Sequence, residues 1–330
     1  MYSGIYEEQV DVNKELTIIS QSGNPEDTVV QSYANNNKIF NITANNVTIS
    51  GFKVNARTFN AIYLDNVQYN NITGNKLDVC SIHLNYSSNN SLNDNILLHS
   101  LYTLLLVHSD NNLITNNNIG AHEYGIGLRF SNNNTITGND ISGSESCLEL
   151  ESSSNNTVSN NSMIAMSPIS LSSSSNNNIL RNNYVNIGDS AICLFSSSNN
   201  TIYNNYFNAD FACDNGNNIW NITKIPGTNI VGGPFLGGNY WSDYTGNDTD
   251  GDGLGDTLLP YNCNGYIVNG GDYLPLVVCE KYNPYDTNKD CKIDLDELSV
   301  AIDDFYAGTL DIEGISEIID YYHLGEAGYC

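Results

Sequence analysis

The stretch SSSNNTIYNNYF, residues 196–207, contains almost no reactive side chain, yet close variants of it recur along most of the 330-residue chain. Measured on the aliphatic residue that follows each asparagine cluster, the positions are Leu92, Ile114, Ile136, Val158, Leu180 and Ile202, each 22 residues after the last. Upstream the phase loosens but persists, with Ile72 20 residues before Leu92 and Ile49 23 before Ile72. A fixed period in the twenties means one supersecondary unit stacked on copies of itself.

Three residues after each anchor stands an asparagine: Asn75, Asn95, Asn117, Asn139, Asn161, Asn183 and Asn205. A second alternating segment follows, such as GIGLRF (125–130), CLELE (147–151) and AICLF (191–195). Alternation with Asn, Gly and Ser turns reads as at least two short strands per unit. No leucine-rich helical pattern intervenes, so the unit is one coil of a parallel β-helix. Nine or ten coils at about 4.8 Å each make a rod roughly 45 Å long. The anchors then form a buried aliphatic ladder. The asparagines form an amide ladder that satisfies polar groups at a corner, where their tolerance of left-handed backbone also helps.

With 11 basic against 37 acidic residues and a net charge of -26, nucleic acid is excluded as a partner. No apolar run approaches membrane-spanning length. Eleven Asn-x-Ser/Thr sequons (Asn41, Asn46, Asn71, Asn85, Asn89, Asn133, Asn155, Asn160, Asn199, Asn221, Asn247) offer glycosylation sites wherever the side chain faces outward. Eight cysteines, four beyond residue 260, fit an oxidising compartment, hence an extracellular or cell-surface protein. The chain opens on MYSGIYEEQVDVNKELTIIS, already in strand pattern and without a signal peptide or capping helix. The expectation is that an upstream segment or a second copy of the protein covers the first coil's edge.

The repeat phase fails after NNYFNADFACDNGNNIWNIT (204–223), and acid then concentrates: from Asn239 onward there are 19 Asp or Glu against three Lys. Within GGNYWSDYTGNDTDGDGLGDTLLPY (237–261), Asp248, Asp250, Asp252 and Asp256 alternate so that their carboxylates converge, Gly253 permits the turn, and Leu254 offers its carbonyl. Hard oxygen ligands at this spacing suit Ca2+. A second loop, DTNKDCKIDLDE, places Asp286, Asn288 and Asp290 at positions 1, 3 and 5. It continues with the Lys292 carbonyl at 7, Asp294 at 9 and Glu297 at 12, which is the twelve-residue calcium pattern with Cys291 where glycine is usual. A helix is expected over ELSVAIDDFYAG. Seventeen residues on, the pattern returns as TLDIEGI without ligands, a metal-free scaffold hand. Disulfides are expected between Cys291 and Cys330 and, more loosely, between Cys263 and Cys279.

These motifs resemble known families. The NN(T/S)(I/V)xxN repeats are similar to the NosD-like, carbohydrate-binding and sugar-hydrolase type of right-handed single-stranded parallel β-helix, abundant in archaeal surface proteins. GGNYWSDYTG followed by DTDGDGLGD resembles the segment that closes such rods. Residues 283–330 resemble a dockerin-like EF-hand tail with one calcium loop. The implied organisation is a β-helix over 1–236, a calcium-loop cap region over 237–282 and a dockerin-like domain over 283–330.

For chemistry, the strongest cluster lies on one outward face: Glu149 and Glu151 project to one side, Arg129 lies one coil below Glu151, His108 lies near that line, and Glu123 stacks under Glu145. Carboxylates about 7 Å apart along a strand can serve as acid and base, although solvated ion pairs give the same pattern and the balance is against an enzyme. Cys147 and Cys193 are expected to face outward, too far apart to bond each other, and each to be free or bridged to a neighbour or to the irregular segment containing Cys213. Three functions fit. One is a structural or adhesive surface protein that assembles head to tail with other copies or with other surface proteins into a filament, sheath or coat. The others are a carbohydrate binder and a polysaccharide lyase or glycoside hydrolase.

Overall fold

The coils fold into three short strands each, within the expectation of at least two. The computed structural model describes residues 1–32, 38–56, 60–143, 145–186, 190–209, 211–278, 283–287 and 292–324. In a typical coil, Leu113–Thr115, Asn118–Gly120 and Tyr124–Arg129 lie on three different faces. Stacking these coils generates three parallel sheets, here A, B and C, of 11, 10 and 9 strands. The register carries each residue onto its repeat partner, as in Ile114 on Ile136 in sheet C and Arg129 on Glu151 in sheet B. The expected aliphatic ladder is present: Ile72, Leu92, Ile114, Ile136, Val158, Leu180 and Ile202 are all buried. Sheets A and B add inward rows such as Leu97, Ile119 and Ile141, and Leu106, Leu128 and Leu150.

The asparagine doublets divide two tasks. The first member takes the left-handed turn, with φ of 57° at Asn133, 56° at Asn160 and 58° at Asn199. The second is buried and extends a ladder. Asn117 donates both its backbone N–H and its Nδ2 to Asn139 Oδ1, at 2.9 and 3.0 Å, and Asn139 repeats this onto Asn161. A second amide ladder, not anticipated from the anchors, runs through Asn90, Asn112, Asn134, Asn156, Asn178 and Asn200. A serine row from Ser87 to Ser197 accepts backbone N–H groups between coils. These bonds satisfy corner groups that no sheet reaches.

Both amide ladders end on a buried aspartate that also accepts an indole N–H. Asn218 donates to Asp214, which takes Trp220 Nε1 at 3.0 Å. Asn239 donates to Asp272, which takes Trp241 Nε1 at 3.0 Å. Tyr240–Trp241 is the last strand of sheet A, so the segment beyond residue 236 stacks directly on the rod.

Cys147 departs from expectation: it is fully buried, not outward. The N–H groups of Cys147 and Leu148 both donate to Pro168 O, so the strand is bulged at its start and two consecutive residues face inward. Cys193 does project from sheet B, bonded to Cys213 on the adjacent strand with S–S 2.01 Å.

Beyond the rod, α1 (Leu295–Ala307) and α2 (Ile312–Leu324) pack through Leu298, Ala301, Ile315 and Ile318. Asp294 caps α1 in a reciprocal capping box with Glu297, and Gly308 ends it in left-handed conformation. No described helix is long and apolar enough to cross a membrane.

Candidate functional site

Whereas the inward columns repeat, the outward columns of sheet B change from coil to coil. One column reads Tyr63, His83, Leu105, Gly127, Glu149, Ser170, Cys193, Cys213. Beside it run Asp65, Asn85, Val107, Arg129, Glu151 and Ser172, and on the other side Tyr102 pairs with Tyr124.

Arg129, Glu149 and Glu151 are brought together as the repeat offset anticipates. Arg129 Nε lies 3.4 Å from Glu151 Oε2, with both side chains half-exposed. Arg129 Nη2 also donates to the Tyr102 hydroxyl at 3.1 Å. The Tyr102 and Tyr124 rings stack with centroids 4.6 Å apart. Tyr124 donates its hydroxyl to Glu145 Oε2 at 2.8 Å, and that bond, with burial, pushes its own ionisation up to about 12. Burial raises the Glu149 carboxyl above the ordinary range, opposed by Arg129 and reinforced by Glu151 and Glu145. Beneath Glu149 the column carries Gly127, where a Cβ would sit 3.2 Å from Leu105 and 3.7 Å from Tyr102, so glycine keeps the floor low. The result is a strip of stacked rings, one guanidinium and three carboxylates across adjacent coils.

Glu123 and Glu145 do stack, with Glu145 N–H on Glu123 O at 3.2 Å. His108 lies one residue beyond the Arg129 line and is instead sandwiched between Tyr86 and Phe130 at 4.7 and 5.0 Å. The role of Tyr102 and Tyr124 went unrecognised in the sequence, although their 22-residue separation was the available signal.

Hollows flank the strip on the same sheet. Towards the N-terminal coils, about 210 Å³ is lined by Asn60, Ser81, Leu101, Tyr102 and Leu105. His83 adjoins it, with Nδ1 3.3 Å from Asn60 Oδ1 and its ring edge-on to Tyr63. Towards the C-terminal coils, about 590 Å³ lies over the Cys193–Cys213 disulfide, with Phe195, Phe211 and Tyr266 at its walls.

In the aspartate loop, Asp248, Asp250 and Asp256 bring ligand oxygens within 4.8 Å of one another. Asp248 is held by N–H groups of Gly251, Asp252 and Gly253. Burial raises its carboxyl, against the lowering effect of those donors. Asp252 instead pairs with Lys224 and accepts the Leu254 N–H. The Leu254 side chain is buried, and its backbone bridges to Leu276. In the second loop, Asp286 and Glu297 are buried, and Glu297 accepts the N–H and hydroxyl of Thr287 and the N–H of Asp294. Lys292 is half-buried at the loop's exit. Asn288, Asp290 and the Cys291–Cys330 pair lie outside the described residues. So does Cys279; Cys263 is buried under the rod's end, where its sulfur accepts the Ala212 N–H.

The family described as "Periplasmic copper-binding protein (NosD)" matches residues 18–186 and 165–246. No curated protein matches the sequence. Among solved structures, the catalytic domain of a GH87 alpha-1,3-glucanase in complex with tetrasaccharides aligns at 14% identity and TM-score 0.47, covering 66% of this chain and 52% of that one. A DFA-IIIase from Arthrobacter chlorophenolicus A6 in complex with DFA-III aligns at 15% identity and TM-score 0.38, covering 57% and 49%. The periplasmic alginate epimerase AlgG aligns at 16% identity and TM-score 0.42, covering 61% and 63%. The chain thus spans about half the length of the first two. At these scores the likenesses carry no functional argument.

The copper in that family description finds no matching donor set among the described residues. Copper sites use imidazole and sulfur ligands. Among the described residues, the single place where three His, Cys, Asp or Glu side chains converge is the all-carboxylate Asp248, Asp250, Asp256 group. His99 pairs with Asp78, His83 with Asn60, and His108 is stacked between rings, and none of the described histidines joins a group of three such side chains.

Proposed function

The chain belongs to the NosD family, described as periplasmic, and from that premise we propose that it is an adhesive protein outside the cytoplasm whose sheet B face binds a polysaccharide. The observation that carries this reading is the Tyr102–Tyr124 stack, held between Arg129 and Glu145 and adjoining the half-buried Glu149. Aromatic rings supply apolar area for sugar rings, and carboxylates and guanidinium supply directional partners for hydroxyls. A solvated ion-pair face would account for Arg129 and Glu151 alone, but not for a buried glycine beneath a carboxylate of raised affinity for protons. Head-to-tail self-assembly loses one support, because Cys147 is buried and Cys193 is bonded to Cys213.

The test is affinity electrophoresis in gels cast with single polysaccharides, read against a Tyr124→Ala, Glu149→Gln double variant. Retardation of the wild type that the variant loses is the expected result. Equal mobility of both proteins in every polysaccharide would overturn the reading. Release of reducing ends or of unsaturated product, abolished by Glu149→Gln or Glu151→Gln, would extend the function to hydrolysis or lysis with Arg129 orienting the sugar.

Calcium belongs to the same proposal. Asp248, Asp250 and Asp256 would hold one ion, with Asp252 kept by Lys224 as a neighbour. Asp286, Asn288, Asp290, Asp294, Glu297 and the Lys292 carbonyl would hold a second in a dockerin-like tail. A ligand that binds only the folded state raises Tm, so chelation should lower it. An unchanged Tm would remove both sites.

A further inference from the structure

Resting on the reading of sheet B as a polysaccharide-binding face, we propose that the hollow over the Cys193–Cys213 disulfide is a subsite for an uncharged sugar ring, so that a neutral polymer lies along the rod axis. Position is the first argument. Glu149 pairs with Ser170, and Ser170 with Cys193, so the hollow continues the column of the tyrosine and glutamate strip two coils on, about 10 Å away. A chain lying across the rod would reach one of the two places; a chain lying along it reaches both.

Chemistry is the second argument. The walls are Phe195 and Tyr266, each about half exposed, and Phe211, which meets Tyr266 edge-on with centroids 4.5 Å apart. Exposed ring faces of this kind take the apolar faces of pyranose rings. Ser167, Ser170 and Ser190 line the same space, and Ser190 and Ser167 hydroxyls lie 3.2 Å apart. They offer donors and acceptors to sugar hydroxyls. None of the described lining residues is charged. A uronate or sulfated unit placed here would lose water without gaining a cation. Along the strip, Glu145, Glu149 and Glu151 face a single guanidinium already paired with Glu151, which also disfavours a polyanion. Rigidity is the third. The disulfide ties the two strands that floor the hollow, so the subsite is preformed and little ordering accompanies binding.

The experiment is isothermal titration of the whole chain with laminari-, cello-, malto- and chito-oligosaccharides from disaccharide to octasaccharide, with oligogalacturonates in parallel. For the neutral series that binds, affinity should climb about tenfold from disaccharide to hexasaccharide as the second subsite engages. Phe195→Ala with Tyr266→Ala should remove that gain and leave disaccharide binding unchanged, and Ser167→Trp should do the same by filling the hollow. Melting curves matching the wild type check that each variant is folded. Affinity independent of length, long-chain affinity unchanged in both variants, or preference for oligogalacturonate would each overturn the subsite while leaving sugar binding by the strip intact. Binding of no oligosaccharide by the wild type would overturn the functional reading and the subsite together.

Discussion

The buried asparagine columns and the outward columns of sheet B come from the same 22-residue repeat and differ in how strictly they keep it. Inside, Asn117, Asn139, Asn161 and Asn183 stand in line with the same bonds at each step. Outside, Leu105, Gly127, Glu149 and Ser170 occupy equivalent positions and share nothing. A ladder works only if each rung matches the next, because an amide oxygen must meet the amide of the coil before it. A surface that recognises a ligand needs different groups at different heights. Repetition therefore marks what holds the rod together, and its breakdown marks where to look for function.

Four changes would break or sharpen this contrast. The largest effect should follow from Asn139→Ala. It removes the acceptor of Asn117 N–H and Nδ2 and the donors to Ile114 O and Asn161 Oδ1, leaving buried groups unpaired. Roughly 3–5 kcal/mol of stability should be lost in denaturant unfolding, given the cost of each orphaned buried group. A loss below that of a surface substitution would mean the ladder is not structural.

Reduction of Cys193–Cys213 comes next. The bond closes a loop of sequence separation 20, for which chain entropy gives about 3 kcal/mol. Urea midpoints with and without reductant, compared in Cys193→Ser, Cys213→Ser, would read it.

A smaller effect is expected from pH. Asp272 is fully buried and its carboxyl is pushed up to about 7, because burial outweighs the lowering hydrogen bonds from Trp241, Asn239 and Leu274. The unfolded chain loses this proton near pH ~3.9. Between about pH 4 and 7 the native state thus binds more protons than the unfolded one, and stability falls as pH rises through that window. Tm should decline from about pH 4 to about pH 7, and Asp272→Asn should flatten the part of the slope owed to this group. An identical slope in the variant would show that Asp272 does not titrate there.

The smallest change in stability should come from Glu151→Gln. Its partner Arg129 is half-exposed, and such pairs contribute about 0–1 kcal/mol. If the two kinds of column differ as argued, Tm should barely move while retention on polysaccharide weakens. A large drop in Tm would place Glu151 with the structural columns.

Much of the rod was legible from the anchors alone. Ile114 and Asn117 repeat at a period that only stacked coils satisfy, and both their burial and the amide bonds follow. The second amide ladder was equally present in the doublets, as Asn111–Asn112 and Asn133–Asn134, but a doublet does not say which member turns the corner and which enters the core. Arg129 over Glu151 was legible because strict register converts a 22-residue offset into a contact. Cys147 was not, since the two adjacent N–H groups that share Pro168 O belong to a bulge that alternation does not encode.

By itself, then, the sequence determined the period, the coil, the aliphatic and amide ladders and the stacking of groups one repeat apart, because parallel in-register pairing turns sequence distance into height along one axis. The tertiary structure alone decided what lies side by side around the circumference. It set Tyr102 and Tyr124 against Arg129 and Glu145, ended the two ladders on Asp214 and Asp272, and opened the hollow between Phe195 and Tyr266. Those contacts join residues at unequal offsets, across corners and from the irregular closing segment, and their spacing is fixed by packing rather than by the repeat.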